Sequence, residues 1–191
     1  MRLPVMILSV SLATMATPAL ADAPTPQALI AATQGQWRGE LQYRDYQSNR
    51  WMGLPVDVEI VAQPDQVTTV RTARYNDGPK TGIVTITSVS LIDPQAETES
   101  YAGFRKGRPV DTGSAHIDRV DAGPDAAHWT IVTTEKRIDG NSPAQVRETT
   151  TRDGDQLTTL KEVNPDGDGK DVWLPRNRTV LTRIPAGPAA R

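Results

Sequence analysis

The sequence predicts an all-β protein: a single antiparallel up-and-down barrel of about 8–10 strands behind a short N-terminal helix. Three observations carry this. Large apolar and charged residues alternate over Trp37–Tyr43 and again over Leu54–Ile60, the period-2 pattern of half-buried antiparallel strands. Turn-forming clusters punctuate the remainder: Asn76-Asp77-Gly78-Pro79, Lys106-Gly107, Asp121-Ala122-Gly123-Pro124, Asp139-Gly140-Asn141 and Asp153-Gly154-Asp155. Thr and Val fill the segments between those turns, as β-propensity favours. That many hairpin-linked strands in one domain must close or stack to hide their edges, and closure into a barrel does this more directly than a two-sheet sandwich.

The elements follow in order. Met1-Arg2, an apolar run over 3–12 and small residues ending in Ala19-Leu20-Ala21 read as a secretory signal peptide cleaved after Ala21. The run is too short to span a bilayer, and no Cys follows it to take a lipid anchor. The expected location is therefore periplasmic or secreted. Residues 22–34 form a Pro-rich lead and a short helix: Thr25 stands at the cap, Pro26 at the first position, and the helix runs over Gln27–Ala32. Gly35 ends it and lets the chain turn into the first strand. The barrel domain spans 35–185, with strands expected after the first two at 66–75, 82–92, 96–104, 109–119, 127–138, 145–152, 155–163 and 172–184. Residues 186–191 are a flexible tail.

Charge and cysteine content narrow the function classes. The chain carries 21 basic and 23 acidic residues, and the leader removes only Arg2 from that balance. A mixed surface of this kind argues against nucleic acid and against anionic membranes as main partners. With no Cys there is no disulfide, no thiolate metal site and no Cys nucleophile. A domain of about 170 residues is large enough to stand on its own core.

Gly35-Gln36-Trp37 is a G-x-W motif opening the first strand after a short helix, ahead of a long antiparallel meander. In this it resembles the lipocalin and wider calycin superfamily. The run from Trp37 to Tyr46 is also similar to exported bacterial barrel proteins of uncharacterised function. The resemblance implies that Trp37 plugs one end of the barrel, with a basic residue of the last strand across its ring. Arg176, Arg178 and Arg183 are available, and Arg178 is the expected partner. A guanidinium over an indole supplies a cation–π contact while it fills the end.

No stretch carries a strong catalytic signature, and no catalytic residue is assigned. Asn164, Asp166, Asp168 and Gly169 match the first half of a Ca²⁺ loop, but the twelfth position is Pro175 instead of a bidentate Glu. An acidic hairpin turn is the better reading, so no metal site is expected. Small haem-binding barrels of the superfamily use a strand His. His116 and His128 lie in no local motif and read as ordinary strand residues, so no cofactor is expected. Ser114, two residues from His116, makes no triad by itself.

Alternation read inward from Trp37 places Leu41, Tyr43, Val56, Val58 and Tyr75 on the inner face. Arg71 shares a face with Val67 and Tyr75, Glu148 with Val146, and Lys161 with Leu157 and Val163. An unpaired buried charge costs several kcal/mol, so either these strands face solvent or the lumen is wet and polar. The second alternative makes the protein a binder of a small amphipathic or polar ligand, such as a fatty acid, held by Tyr43, Val58, Arg71 and Tyr75. Lyase or isomerase chemistry in the lumen, and an envelope interaction protein with a filled barrel, are the competing readings. A carboxylate paired with His or Tyr inside the lumen favours the enzyme, and a packed lumen favours the interaction protein.

Overall fold

In the computed structural model, residues 24–187 are described except Tyr46, Pro124 and Asp168, so the expected leader and residues 188–191 of the tail lie outside the described residues. Helix α1 (Pro26–Ala31) begins behind an extended Thr25 whose side chain makes no capping bond, with Pro26 at the start. It buries Leu29 completely. Gly35 follows at φ 137°, a conformation that disfavours any side chain, and a Cβ there would stand 2.8 Å from Arg183 Nη1. The chain then runs through ten strands: β1 (Gly35–Asp45), β2 (Arg50–Ala62), β3 (Thr68–Asn76), β4 (Ile83–Asp93), β5 (Thr98–Arg105), β6 (Asp111–Ala122), β7 (His128–Asp139), β8 (Ser142–Asp153), β9 (Gln156–Pro165) and β10 (Leu174–Ile184). The Asn76–Pro79 turn is elaborated into a one-turn helix, α2 (Gly78–Thr81), which sequence patterning does not announce.

Every strand pairs antiparallel with its sequence neighbour, and β1 pairs with β10 to close the barrel. Trp37 opposes Arg183 on one side and Val58 on the other. Bulges between Ile117 and Arg119 and between Pro175 and Asn177 break an otherwise regular register. Closure satisfies all strand edges at once, which is why a chain with no disulfides can hold so much sheet in one layer.

The core lies at the α1 end. Trp37 is 0 % exposed and packs with Leu29, Val58, Ile60, Ala73, Ile92, Trp129, Ile131 and Leu181. Its indole Nε1 donates to Thr33 O at 2.8 Å. Two guanidiniums finish this end. Arg183 stands over the Trp37 ring with its carbon 4.5 Å from the centroid, and Arg152 is at 6.0 Å. Both donate to Ala32 O, Arg152 Nη1 at 2.8 Å and Arg183 Nη2 at 3.1 Å, while Arg183 Nη1 donates to Gln34 O at 2.8 Å. The carbonyls left open by the C-terminus of α1 are thus taken by cations, which also suit its dipole.

Arg178 is therefore not the partner of Trp37. It pairs across from Gln42 on the outer surface and takes no part in the plug. Its guanidinium lies over Trp51 at 4.5 Å, with Nε donating to Gln42 Oε1 at 2.6 Å. Arg178 and Arg183 are five residues apart, an odd spacing that puts them on opposite faces of β10.

Candidate functional site

Above this plug the barrel is not filled. A cavity of about 730 Å³ runs through the lumen, floored by Ile30 and Thr33 and open at the other end. That volume lies in the range of small-molecule sites. Its lower wall is largely apolar, with Leu41, Ile60, Trp129, Leu157 and Leu181. Higher up, the inner positions of β3 to β9 are polar and charged: Arg71, Ser88, Tyr101, Glu135, Arg137, Glu148 and Lys161.

Tyr101, Glu135, Arg137 and Asp111 form one network. The Tyr101 hydroxyl lies 2.9 Å from both Glu135 carboxylate oxygens and donates to that carboxylate. Arg137 Nη1 donates to the phenol oxygen at 2.6 Å and to Glu135 Oε1 at 3.1 Å, while its Nη2 donates to Asp111 at 2.9 Å. Gly113, directly across from Tyr101, makes the arrangement sterically feasible, because a side chain there would overlap the phenol. Burial and the hydrogen bond to Glu135 push the Tyr101 phenol well above its ordinary range.

Two further carboxyls face the lumen. Glu148 lies across from Lys161 on β9. Burial pushes its pKa up, against the favourable charges of Lys161, Arg137 and Arg71. Burial also pushes Glu99 up, opposed by a hydrogen bond from Ser90 and reinforced by the charges of Glu148 and Glu135. Arg71 and Lys161, by contrast, make no hydrogen bond and no ion pair among the described residues. Their nearest expressed influence is on the Glu148 carboxyl.

The residues singled out from sequence divide by depth. Arg71 and Tyr75 line the cavity. Val58 is fully buried in the plugged end against Trp37 and does not line it, because the lumen begins above that layer. Tyr43 sits at the mouth, 47 % exposed, where burial and the neighbouring Tyr75 raise its phenol pKa. Gly35 and Trp37 belong to the plug. Lys161 and Glu148, noted for sharing faces with apolar residues, both face the lumen.

Glu99, Tyr101, Glu135 and Arg137 are the residues that sequence reading passes over. For β7 a signal exists, since the alternation Trp129, Ile131, Thr133 carries on inward to Glu135 and Arg137. For β5, where no large apolar residue marks the inner face before Tyr101, there is none. His116 is exposed on the outside of β6. His128 begins β7, its Nδ1 2.8 Å from Asp125 Oδ1, away from the lumen. The stretch with the Ca²⁺-loop likeness starts at the end of β9 and enters the β9–β10 connection, where Asn164 Nδ2 donates to Asp171 Oδ1 at 2.9 Å.

No family model and no curated protein matches this chain.

Proposed function

We propose that the barrel binds a small amphiphile with an anionic head, its apolar body in the lower lumen and its head among the cations above. The observation that carries this is the pair of lumen cations, Arg71 and Lys161, which make no hydrogen bond or ion pair among the described residues and face only Glu148, a carboxyl that burial drives toward its neutral form, over an apolar floor in an open cavity. A cation kept in a cavity wall without a partner costs stability, and a bound anion offsets that cost. Five cationic side chains line the cavity against four carboxyls, and burial drives two of those carboxyls, Glu99 and Glu148, toward the neutral form. The balance inside the lumen is accordingly positive although that of the whole chain is negative. Membership of the calycin superfamily, supported by Gly35-Gln36-Trp37 and the Arg183-capped indole, belongs to the same reading, as does export by the leader.

The test is a titration with an environment-sensitive fluorescent fatty acid, comparing wild type with Arg71→Met. Saturable binding that weakens roughly tenfold or more in the variant is expected, from loss of a charge-assisted contact worth about 1.5–3 kcal/mol. The same variant should unfold at a higher urea concentration, since it removes a lumen cation that no hydrogen bond or ion pair holds among the described residues. No saturable binding, or weaker binding with lower stability, overturns the assignment.

A second reading, acid–base chemistry of the lyase or isomerase type, is favoured by the Tyr101–Glu135 hydrogen bond inside the cavity. The raised phenol and the Arg137 clamp make this array a better fixed polar wall than a proton donor. Recovering a bound molecule chemically altered after incubation, with the change lost in Glu135→Gln, decides for the enzyme; recovering it unaltered decides against.

A further inference from the structure

The two ends of the barrel differ in charge and in exposed apolar surface. At the plugged end the four hairpin connections, 63–67, 94–97, 123–127 and 154–155, contain no Lys or Arg. In and beside them stand seven exposed carboxylates, beginning with Asp65, Asp93 and Glu97 and ending with Asp153 and Asp155. At the mouth the connection between β5 and β6 reads Lys106-Gly107-Arg108-Pro109-Val110, preceded by Phe104-Arg105. Phe104 is 46 % exposed and Val110 55 %. Arg105, Lys106 and Arg108 are exposed and form no side-chain hydrogen bond or ion pair among the described residues. The adjacent β3–β4 connection adds exposed Lys80 and, just beyond it, Ile83 at 62 % exposure.

From this we infer that the mouth docks on an anionic lipid surface, with the β3–β4 and β5–β6 hairpins in contact and the plugged end pointing away. Apolar tips seated between basic side chains are what such a surface recognises: the cations meet head groups, and Phe104, Ile83 and Val110 reach the acyl boundary. Each exposed Lys or Arg near the surface strengthens attraction several-fold, and the effect decays over a Debye length. The far-end connections hold carboxylates and no Lys or Arg, which disfavours an inverted approach, whereas at the mouth Asp77, Asp111, Asp166 and Asp171 stand among the cations. The contact also sets the open lumen directly against the bilayer, the phase in which amphiphiles of the proposed kind reside. The docking surface stands on the rim, two of whose cations, Arg105 and Arg108, also line the cavity, whereas the link to lumen cargo rests on the proposed function.

Co-sedimentation of the purified chain with vesicles tests it, one set of pure phosphatidylcholine and one containing phosphatidylglycerol, both free of fatty acid. Binding to the anionic vesicles only, falling as salt is raised from 0.1 to about 0.5 M, is expected. Lys80→Glu with Lys106→Glu, neither of which lines the cavity, should reduce it roughly tenfold or more. Ile83→Ser with Val110→Ser should reduce it while keeping its salt dependence. Circular dichroism matched to wild type verifies folding, and Lys106→Ala alone supplies a milder variant should the reversals misfold. No association with anionic vesicles, or association indifferent to both pairs, overturns the inference and leaves the rim to a protein partner. The vesicles carry no lumen ligand, so failure here and failure of fatty-acid binding are read separately.

Discussion

The two halves of the lumen treat inward-facing charge in opposite ways. At the plugged end Arg152 and Arg183 are enclosed by α1 and the strand ends, and carbonyls of Ala32, Gln34, Ala126 and Gly154 accept their hydrogen bonds. Each guanidinium there is committed to structure, covering an indole and closing the C-terminus of a helix. Midway up, Arg71 and Lys161 hold the same charge on the same kind of inward strand position and receive no such company. Facing inward does not by itself make a charge structural; being surrounded by acceptors does. One end of the barrel is closed by its own cations, and the other holds Arg71 and Lys161 facing Glu148 across an open cavity.

Truncation is the strongest way to break this contrast. Trp37→Ala should cost about 3–5 kcal/mol as the loss of a fully buried aromatic, while Met52→Ala at the mouth, 65 % exposed, should change stability by less than about 0.5 kcal/mol. Urea unfolding of both variants measures it, and equal losses would abolish the distinction between the ends. Arg183→Met comes next. It removes the cation over Trp37 and the donor to Gln34 O, and leaves Ala32 O to Arg152 alone, for an expected cost of about 1–3 kcal/mol. A variant melting with wild type would mean that the plug needs only the indole.

A pH series sharpens the upper half. Burial raises the folded-state pKa of Glu99 and Glu148 above the usual carboxylate range. The stability these groups contribute is therefore full at pH below that range and is lost as pH rises through their raised folded values. The double variant Glu99→Gln, Glu148→Gln should escape that loss, so its melting temperature should gain on wild type progressively from mildly acid to neutral pH. A constant gap across the series would show that neither carboxyl is held toward its neutral form. A small effect is also expected on the outer surface of the barrel. Arg178→Met breaks a cation–π pair of the same geometry as the one at the plug, 4.5 Å to the ring of Trp51, yet should cost under about 1 kcal/mol because that pair faces solvent. Thermal melts of the two Arg→Met variants side by side measure the difference.

Most of the architecture was legible from strand alternation and turn chemistry. All ten strands lie where alternating or Thr- and Val-containing runs stand between turn-forming residues, with ends displaced by a few residues. The inward aim of Arg71, Glu148 and Lys161 was legible too, since each shares a face with large apolar neighbours. Arg183 was harder to pick, because Val180 and Leu181 are both apolar and a bulge at Pro175/Asn177 obscures the parity of β10. Glu99 and Tyr101 were invisible for a related reason: β5 offers alternating Thr, Ser, Ala and Gly, so nothing marks its inner face. Net charge is a different case: a value near zero says nothing of where exposed charge gathers, such as Arg105, Lys106 and Arg108 on one connection at the mouth.

Ten is an even number of antiparallel strands, so the chain enters β1 and leaves β10 at the same end, with Gln36 paired to Ile184. Both termini of the barrel therefore emerge beside the plug. A short linker joining them, with new ends cut at Gly140-Asn141 in the β7–β8 turn, would give a circular permutant that keeps every ladder intact. By the same geometry, a reporter or tether fused to either terminus hangs from the sealed base and leaves the aperture unobstructed.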